Sequence, residues 1–359
     1  MNNEEIEIKF GVLGNPGNLM DLMSTFGKVS DPKTDSLSNV YFDTDDQQLF
    51  KIGAGLRIRR GNGFAEQTLK LRGSNVGGVH LRSEYNVKID EDAELPELSK
   101  FPEDALPETL DLPTINDALK PVCEIDFERR SFNFSTMDSL FEVAYDHGTI
   151  SVEGEPVVPI NEIEIELKET KRPQDEIILI FCSLITTLAE KDLPLVLEPF
   201  SKMHRASLIK DSRKGSIDFA QKSEISSLPS YILCLVKSFE NLYGLFLSKR
   251  DPLVFSCCIA SLRTLIKSLK FLRKSGLAAF NQGEREPVNY SHDLKVLINV
   301  LSKFAGKIAK LERLVTKCSL NNDRYTLSII AENLRKLENN YKIFVIPLKL
   351  KVFLSMLIR

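Results

Sequence analysis

Along the first 170 residues apolar and charged side chains alternate in short runs bounded by Gly, Asn, Asp and Pro. A period of two is the signature of strands, in which successive side chains point to opposite faces. The clearest runs are Glu5-Ile6-Glu7-Ile8-Lys9-Phe10, Leu56-Arg57-Ile58-Arg59, Thr68-Leu69-Lys70-Leu71-Arg72, Arg82-Ser83-Glu84-Tyr85-Asn86-Val87-Lys88, Phe141-Glu142-Val143-Ala144-Tyr145-Asp146 and Glu162-Ile163-Glu164-Ile165-Glu166-Leu167-Lys168. Helical segments are expected near Leu19 to Phe26 and in the proline-interrupted acidic stretch Pro96 to Leu119. From Pro173 the period becomes helical, with Ile177, Ile178, Phe181, Leu184, Ile185 and Leu188 recurring at spacings of three and four. Ser212 to Ser230 reads as a linker, and Tyr231 to Leu247, Pro252 to Lys274, Ser291 to Lys317 and Arg324 to Asn340 as the helices of a bundle. The apolar end, Ile343 to Ile358, is broken by Pro347, Lys349 and Lys351 and reads as a core-packing element.

What alternates with the apolar residues is unusually purely charged. Glu5, Glu7 and Lys9 share one strand face, Glu162, Glu164, Glu166 and Lys168 a second, and Glu142 and Asp146 a third. Arg57 with Arg59, Lys70 with Arg72, and Arg82 with Glu84 and Lys88 form cationic counterparts. Facing outward, neighbouring all-Glu strands would repel across the sheet and gain nothing. Facing into a closed barrel, the carboxylates can hold divalent cations through oxygen while Arg and Lys grip an anion, the combination that a metal-bridged polyphosphate requires. Ile6, Ile8, Leu56, Ile58, Leu69, Leu71, Ile163, Ile165 and Leu167 then point outward and need a helical covering.

The formal net charge of −3 hides an asymmetry. Residues 1 to 200 carry 19 Lys and Arg against 38 Asp and Glu, and residues 201 to 359 carry 28 against 12. An acidic module is thus joined to a basic one, and 359 residues suffice for two ordinary domains. The six cysteines show no C-x-x-C pair and no zinc-finger spacing, which argues against structural zinc and for a reduced, cytoplasmic setting. No apolar run of bilayer length occurs, so no membrane partner is expected, and the basic half lacks the aromatic interleaving that nucleic-acid binding would add.

Glu5-x-Glu7-x-Lys9 resembles the E-x-E-x-K signature of the CYTH superfamily, the triphosphate tunnel metalloenzymes. The blocks that follow are similar in order: Tyr41-Phe42-Asp43-Thr44, Gly55 to Arg59, Thr68-Leu69-Lys70, His80 to Asn86, Phe127-Glu128-Arg129, Glu142 to Gly148 and Glu162 to Lys168. The His-x-Arg-x-Glu-Tyr-Asn block and the basic helical region resemble the bacterial inorganic triphosphatases, in which a CHAD domain follows the CYTH domain. The face formed by Arg263, Lys267, Lys270 and Lys274, opposite Leu265, Leu269 and Leu272, resembles a basic CHAD helix.

The resemblance implies an α+β chain: an antiparallel β-barrel tunnel covered by helices over residues 1–205, a linker over 206–230, and an all-α, CHAD-like bundle over 231–359. It implies hydrolysis of inorganic triphosphate to pyrophosphate and phosphate, with one or two Mg²⁺ or Mn²⁺ ions held by Glu5, Glu7, Asp146, Glu162 and Glu164. Arg57, Arg59, Lys70, Arg72, Arg82 and Arg129 would clamp phosphate oxygens, with Arg130 the alternative to Arg129. Lys9 would serve the attacked or leaving phosphoryl group, with Tyr41 as its partner, and Glu5 and Glu7 complete the catalytic set. Glu84, Glu142, Glu166 and Lys168 are further candidates. Thiamine triphosphatase, adenylyl cyclase and a non-catalytic polyphosphate-binding role are the competing functions.

Overall fold

A computed structural model describes residues 4–12, 15–76, 79–173, 195–198, 200–210, 228–249, 252–275 and 294–306, with isolated positions between 176 and 188 and at 279–280, 288–289 and 309. The chain divides into two compact units, one made of Met1–Val12, Gly17–Gln174 and Phe200–Ser216, the other of Leu13–Pro16, Asp175–Pro199 and Ile217–Arg359.

The first unit contains, in chain order, β1 (Glu4–Val12), α1 (Leu19–Ser24), β2 (Lys28–Asp43), α2 (Gln48–Lys51), β3 (Gly55–Gly61), β4 (Phe64–Lys70), β5 (Ser74–Val76), β6 (Val79–Lys88), α3 (Leu112–Asp117), β7 (Lys120–Thr136), β8 (Ser139–Ser151), β9 (Val158–Thr170) and α4 (Lys202–Lys210). Eight antiparallel strands follow one another as β1-β9-β8-β7-β2-β3-β4-β6, and β6 pairs back onto β1, so the sheet closes into a barrel. Closure removes the free edges of an open sheet.

Register decides which side chains share a face. Glu5 lies opposite Arg82, Lys9 opposite Glu164, Asp146 opposite Glu162, Arg129 opposite Asp146, Tyr41 opposite Arg57, and Lys70 opposite Glu84. Paired residues point to the same side, so the charged positions of seven strands line one surface. That surface is the inside: Arg57 on β3 reaches Glu84 on β6, and Arg129 on β7 reaches Glu164 on β9, each past an intervening strand. The apolar alternates face outward. Phe42, Leu56, Ile58 and Leu69 are buried beneath Leu98, Phe101, Leu106, Ile115 and Leu119.

That covering differs in form from the helices expected between Pro96 and Leu119. Only a 3-10 turn at Leu98–Lys100 and α3 are helical, because Pro96, Pro102 and Pro107 interrupt the backbone hydrogen-bond ladder, while Pro113 sits in the first turn of α3, where its missing N–H costs nothing. Buried Gln67 pins the segment to the barrel: its amide donates to the Glu97 carbonyl and accepts from the Glu97 N–H, both at 2.8 Å. Asp43 fixes α2 likewise, its carboxylate accepting from the N–H groups of Thr44, Leu49 and Phe50 at 2.8–2.9 Å. β2 is absent from the strands read from the sequence. Over Lys28–Asp43 no clean alternation marks it, and Pro32 falls in the register break between Ser30 and Lys33. At Gly148 a Cβ would collide with the Asp126 carbonyl and Phe127 Cα, so glycine lets β8 lie close on β7 there.

In the second unit, α5 (Leu228–Lys249) and α6 (Pro252–Lys274) are amphipathic. Phe239 and Tyr243 of α5 stack on each other and meet Phe304 edge-on, from the helical stretch 294–306. Leu262, Leu265, Leu269 and Leu272 are buried, while Arg263, Lys267, Lys270 and Lys274 are exposed on the opposite face of α6. Among the described residues no helix is long and apolar enough to cross a membrane. Residues 211–227 of the linker expected over 206–230, and the expected elements at Arg324 to Asn340 and Ile343 to Ile358, lie outside the described residues.

Candidate active site

The barrel interior holds three groups of charge. The most buried is acidic: Asp146 of β8 and Glu162 and Glu164 of β9 each offer one carboxylate oxygen within 4.8 Å of the others. Arg129 forks onto Asp146 with two bonds of 2.7 Å and donates to Glu164 at 2.6 Å. Lys9 bridges Glu164 and Glu7, 3.2 Å from the latter. Lys202 of α4 pairs with Asp146 at 2.7 Å, Glu164 at 2.9 Å and Glu162, and Arg205 pairs with Glu162.

The second group lies along β1, β4 and β6. Arg82 joins Glu5, at 2.6 Å, to Glu7, and Lys70 joins Glu5 to Glu84 at 2.9 and 2.6 Å. Arg57 stands 3.8 Å from Glu84 and donates to the Tyr41 hydroxyl at 3.5 Å. The third group is cationic. Arg59 donates to Asn39 Oδ1 at 2.8 Å and is 3.9 Å from Glu66. Burial, together with the guanidiniums of Arg57 and Arg129, lowers the Arg59 pKa to about 10. Arg57 Nε is buried with no hydrogen-bond partner among the described residues. Mutually repelling guanidiniums with a spare buried donor call for an anion.

Burial alone would raise the carboxyl pKa values, but neighbouring cations reverse it. Lys70 and Arg82 hold Glu5 well below the ordinary range, and Lys202, Lys9 and Arg129 do so for Glu164. Lys9 is held protonated, against burial, by Glu164 and Glu7. A depressed carboxyl stabilises the fold above its unfolded pKa and loses that contribution as pH falls through its folded value. The melting temperature is therefore expected to be flat between about pH 7 and 5 and to fall steeply below about pH 4. Glu166, raised by burial, acts in the opposite sense but singly. Melting scans from pH 3 to 7 check this, and a protein more stable at pH 3.5 than at 6 would contradict it.

Of the residues singled out from sequence, Glu5, Glu7, Lys9, Tyr41, Arg57, Arg59, Lys70, Arg82, Glu84, Arg129, Asp146, Glu162 and Glu164 share this interior. Glu142, Glu166 and Lys168 form a more exposed group on the same face, with Lys168 at 3.1 Å from Glu142 and 2.8 Å from Glu166. Arg72 is exposed just past the end of β4, its stem beside Gly53, and joins none of these pairs among the described residues. Arg130 faces out and pairs with Glu128, leaving Arg129 as the interior arginine. Sequence reasoning missed Lys202 and Arg205. They lie one helical turn apart on α4, and the signal was slight: two cations at i and i+3 flanking Met203 and Ala206.

The closed barrel with its acidic and basic interior defines a tunnel protein. The CYTH domain family matches residues 3–193, more than half of the chain, and the chain belongs to that family. It is 34% identical over 171 residues to an inorganic triphosphatase of Haemophilus influenzae, a match covering 46% of this chain and 45% of the relative. The match thus spans about half the length of that curated relative. Among solved structures, a Hippeastrum protein described as having a dominant triphosphatase activity is 22% identical, with a TM-score of 0.38 over 60% of this chain and 97% of that one. A Pyrococcus horikoshii protein is 20% identical, with a TM-score of 0.36 over 56% and 97%.

Proposed function

We propose that the barrel hydrolyses inorganic triphosphate to pyrophosphate and phosphate with the aid of Mg²⁺ or Mn²⁺. The carrying observation is that Arg59 lies near enough to Arg57 and Arg129 to be repelled by both, and Arg129 in turn pairs with Asp146 and Glu164 of the carboxylate group, all inside one closed barrel. A chain of phosphates has many oxygens for the arginines, and its charge is best met by a cation on its other side. The donor set fits such an ion: three buried carboxylates supply only hard oxygens, which suit magnesium or manganese better than zinc. Asp146, Glu162 and Glu164 would hold it, with Glu5 and Glu7 within reach of a second, and the ion would neutralise developing charge on the phosphoryl oxygens.

The chain's own residues do the rest. Arg57, Arg59 and Arg129 bind non-bridging oxygens through paired N–H donors, and Lys70 and Arg82 extend that grip toward Glu5. Lys9 stays protonated between Glu7 and Glu164 and offers its ammonium to the attacked phosphoryl group. Water, oriented by a tunnel carboxylate that takes its proton, adds to a terminal phosphorus as the bridging P–O bond breaks and pyrophosphate leaves. Positioning and charge neutralisation carry the reaction, with no covalent intermediate. The relative's name supports inorganic triphosphate over nucleotides. Among the described residues, free Cys123, Cys257 and Cys258 accord with a reducing cytoplasm. The domain reading of 1–205, a linker over 206–230 and a helical 231–359 stays part of this proposal. The exposed basic face of α6 supports a second reading, polyphosphate retention, for the helical unit.

The test is phosphate release from tripolyphosphate, ATP and thiamine triphosphate, each with Mg²⁺, Mn²⁺ or chelator. Tripolyphosphate is expected to be the fastest, with activity lost on chelation. No release from tripolyphosphate alongside good hydrolysis of either of the others would refute the substrate.

A further inference from the structure

Lys202 stands where three buried carboxylates of the barrel converge. Its ammonium is 2.7 Å from Asp146 and 2.9 Å from Glu164 and also pairs with Glu162, the same three residues whose oxygens lie within 4.8 Å of one another. A divalent ion bound by those oxygens would need the same place. Two cations in contact with one set of oxygens repel strongly in a buried setting, so the ammonium and the ion exclude each other. Three further cations face the group from other positions, namely Lys9 on β1, Arg129 on β7 and Arg205 on α4.

The helix that carries Lys202 is held by other means. Ala206 is buried in an apolar cluster with Leu37, Tyr41, Ile125, Phe127, Ile150 and Ile160, and Met203 and Ile209 pack against it. The ammonium therefore arrives on a flexible four-carbon stem from an anchored backbone, 4.9 Å over the Phe127 ring. It can leave the carboxylates by rotamer change, with α4 in place.

We infer that Lys202 is a built-in competitor for the divalent cation: it neutralises the acidic triad in the ion-free protein and must swing out before an ion can be held there. The inference rests on the proposed reading of Asp146, Glu162 and Glu164 as the cation-holding group. It makes ion affinity a property set from α4 as well as from the ligands themselves.

The experiment measures Mn²⁺ binding to the full chain by titration calorimetry, without triphosphate, and follows the melting temperature. Lys202→Met keeps the stem and removes the charge; it is expected to bind Mn²⁺ at least tenfold more tightly than the parent. Lys202→Arg keeps the charge and should stay within about threefold of the parent, as should Lys120→Met, which removes an exposed cation paired with Asp45. If Lys202→Met does not fold alone, Mn²⁺ should restore its melting transition, and failure to restore it overturns the inference. Equal or weaker Mn²⁺ binding by a folded Lys202→Met also overturns it, even where the parent still hydrolyses tripolyphosphate. A parent that binds no Mn²⁺ and releases no phosphate removes the functional reading together with it.

Discussion

Changing Glu164 to Gln is expected to lower kcat/KM for tripolyphosphate by about 10³-fold, equivalent to about 4 kcal/mol of transition-state stabilisation. The substitution keeps the shape of the side chain and removes its charge. Three cations meet on that carboxylate: Lys9, Lys202 at 2.9 Å and Arg129 at 2.6 Å, from β1, α4 and β7 respectively. With an amide there, the Asp146 and Glu162 charges alone would hold the divalent ion, and Lys9 would lose one of the two carboxylates that fix its direction. The comparison variant is Glu128→Gln, whose side chain is exposed and pairs only with Arg130 at the surface among the described residues. It should retain activity within about twofold, as surface changes usually do. Activity of Glu164→Gln within tenfold of the parent would show that this carboxylate stands outside the reaction.

Changing Arg129 to Met should act on stability. The guanidinium forks onto fully buried Asp146 and reaches Glu164, with its face 5.5 Å from the Phe127 ring. Met preserves much of the packing on Phe127 and leaves Asp146 with Lys202 as its remaining cation. Breaking one side of a buried pair costs about 3–5 kcal/mol, because the surviving charge keeps its desolvation penalty. Urea unfolding of the parent and of Arg129→Met gives the number. Adding Asp146→Leu to that variant is expected to recover part of the loss, since the two positions form one coupled unit. A loss below about 1 kcal/mol for Arg129→Met would mean that water enters the barrel and screens the pair.

The inward charges were legible wherever charged residues alternated strictly with apolar ones. β1, β3, β4 and β9 spelled it out, because Ile and Leu at the alternate positions fixed the parity. Which carboxylates converge was not legible. Glu5 and Glu7 read as equals of Glu162 and Glu164, yet the former are spanned by Arg82 and Lys70 while the latter close on Asp146. That difference is set by strand register and barrel stagger, which no local pattern encodes. Lys202 and Arg205 were hidden for a related reason. Two cations one turn apart look like any solvated helix face until Met203, Ala206 and Ile209 turn that helix onto the barrel. β2 was hidden because its polar run over Lys28 to Ser38 alternates with nothing, and its place is supplied by β3 and β7.

The way the barrel closes bears on how the chain is made. Of the eight barrel strands β1 leaves the ribosome before the others, yet its partners are β6 and β9, and the Lys9–Glu164 contact joins residues 155 positions apart. Until β6 emerges β1 has no partner, and until β9 emerges it keeps one open edge, with Ile6, Ile8 and Phe10 along one side, the kind of segment that recruits other nascent chains into intermolecular sheets. Glu5, Glu7 and Lys9 interrupt it at every second position and act as gatekeepers during that wait. The residues that line the finished tunnel thus also keep its first strand monomeric while the rest of the wall is synthesised.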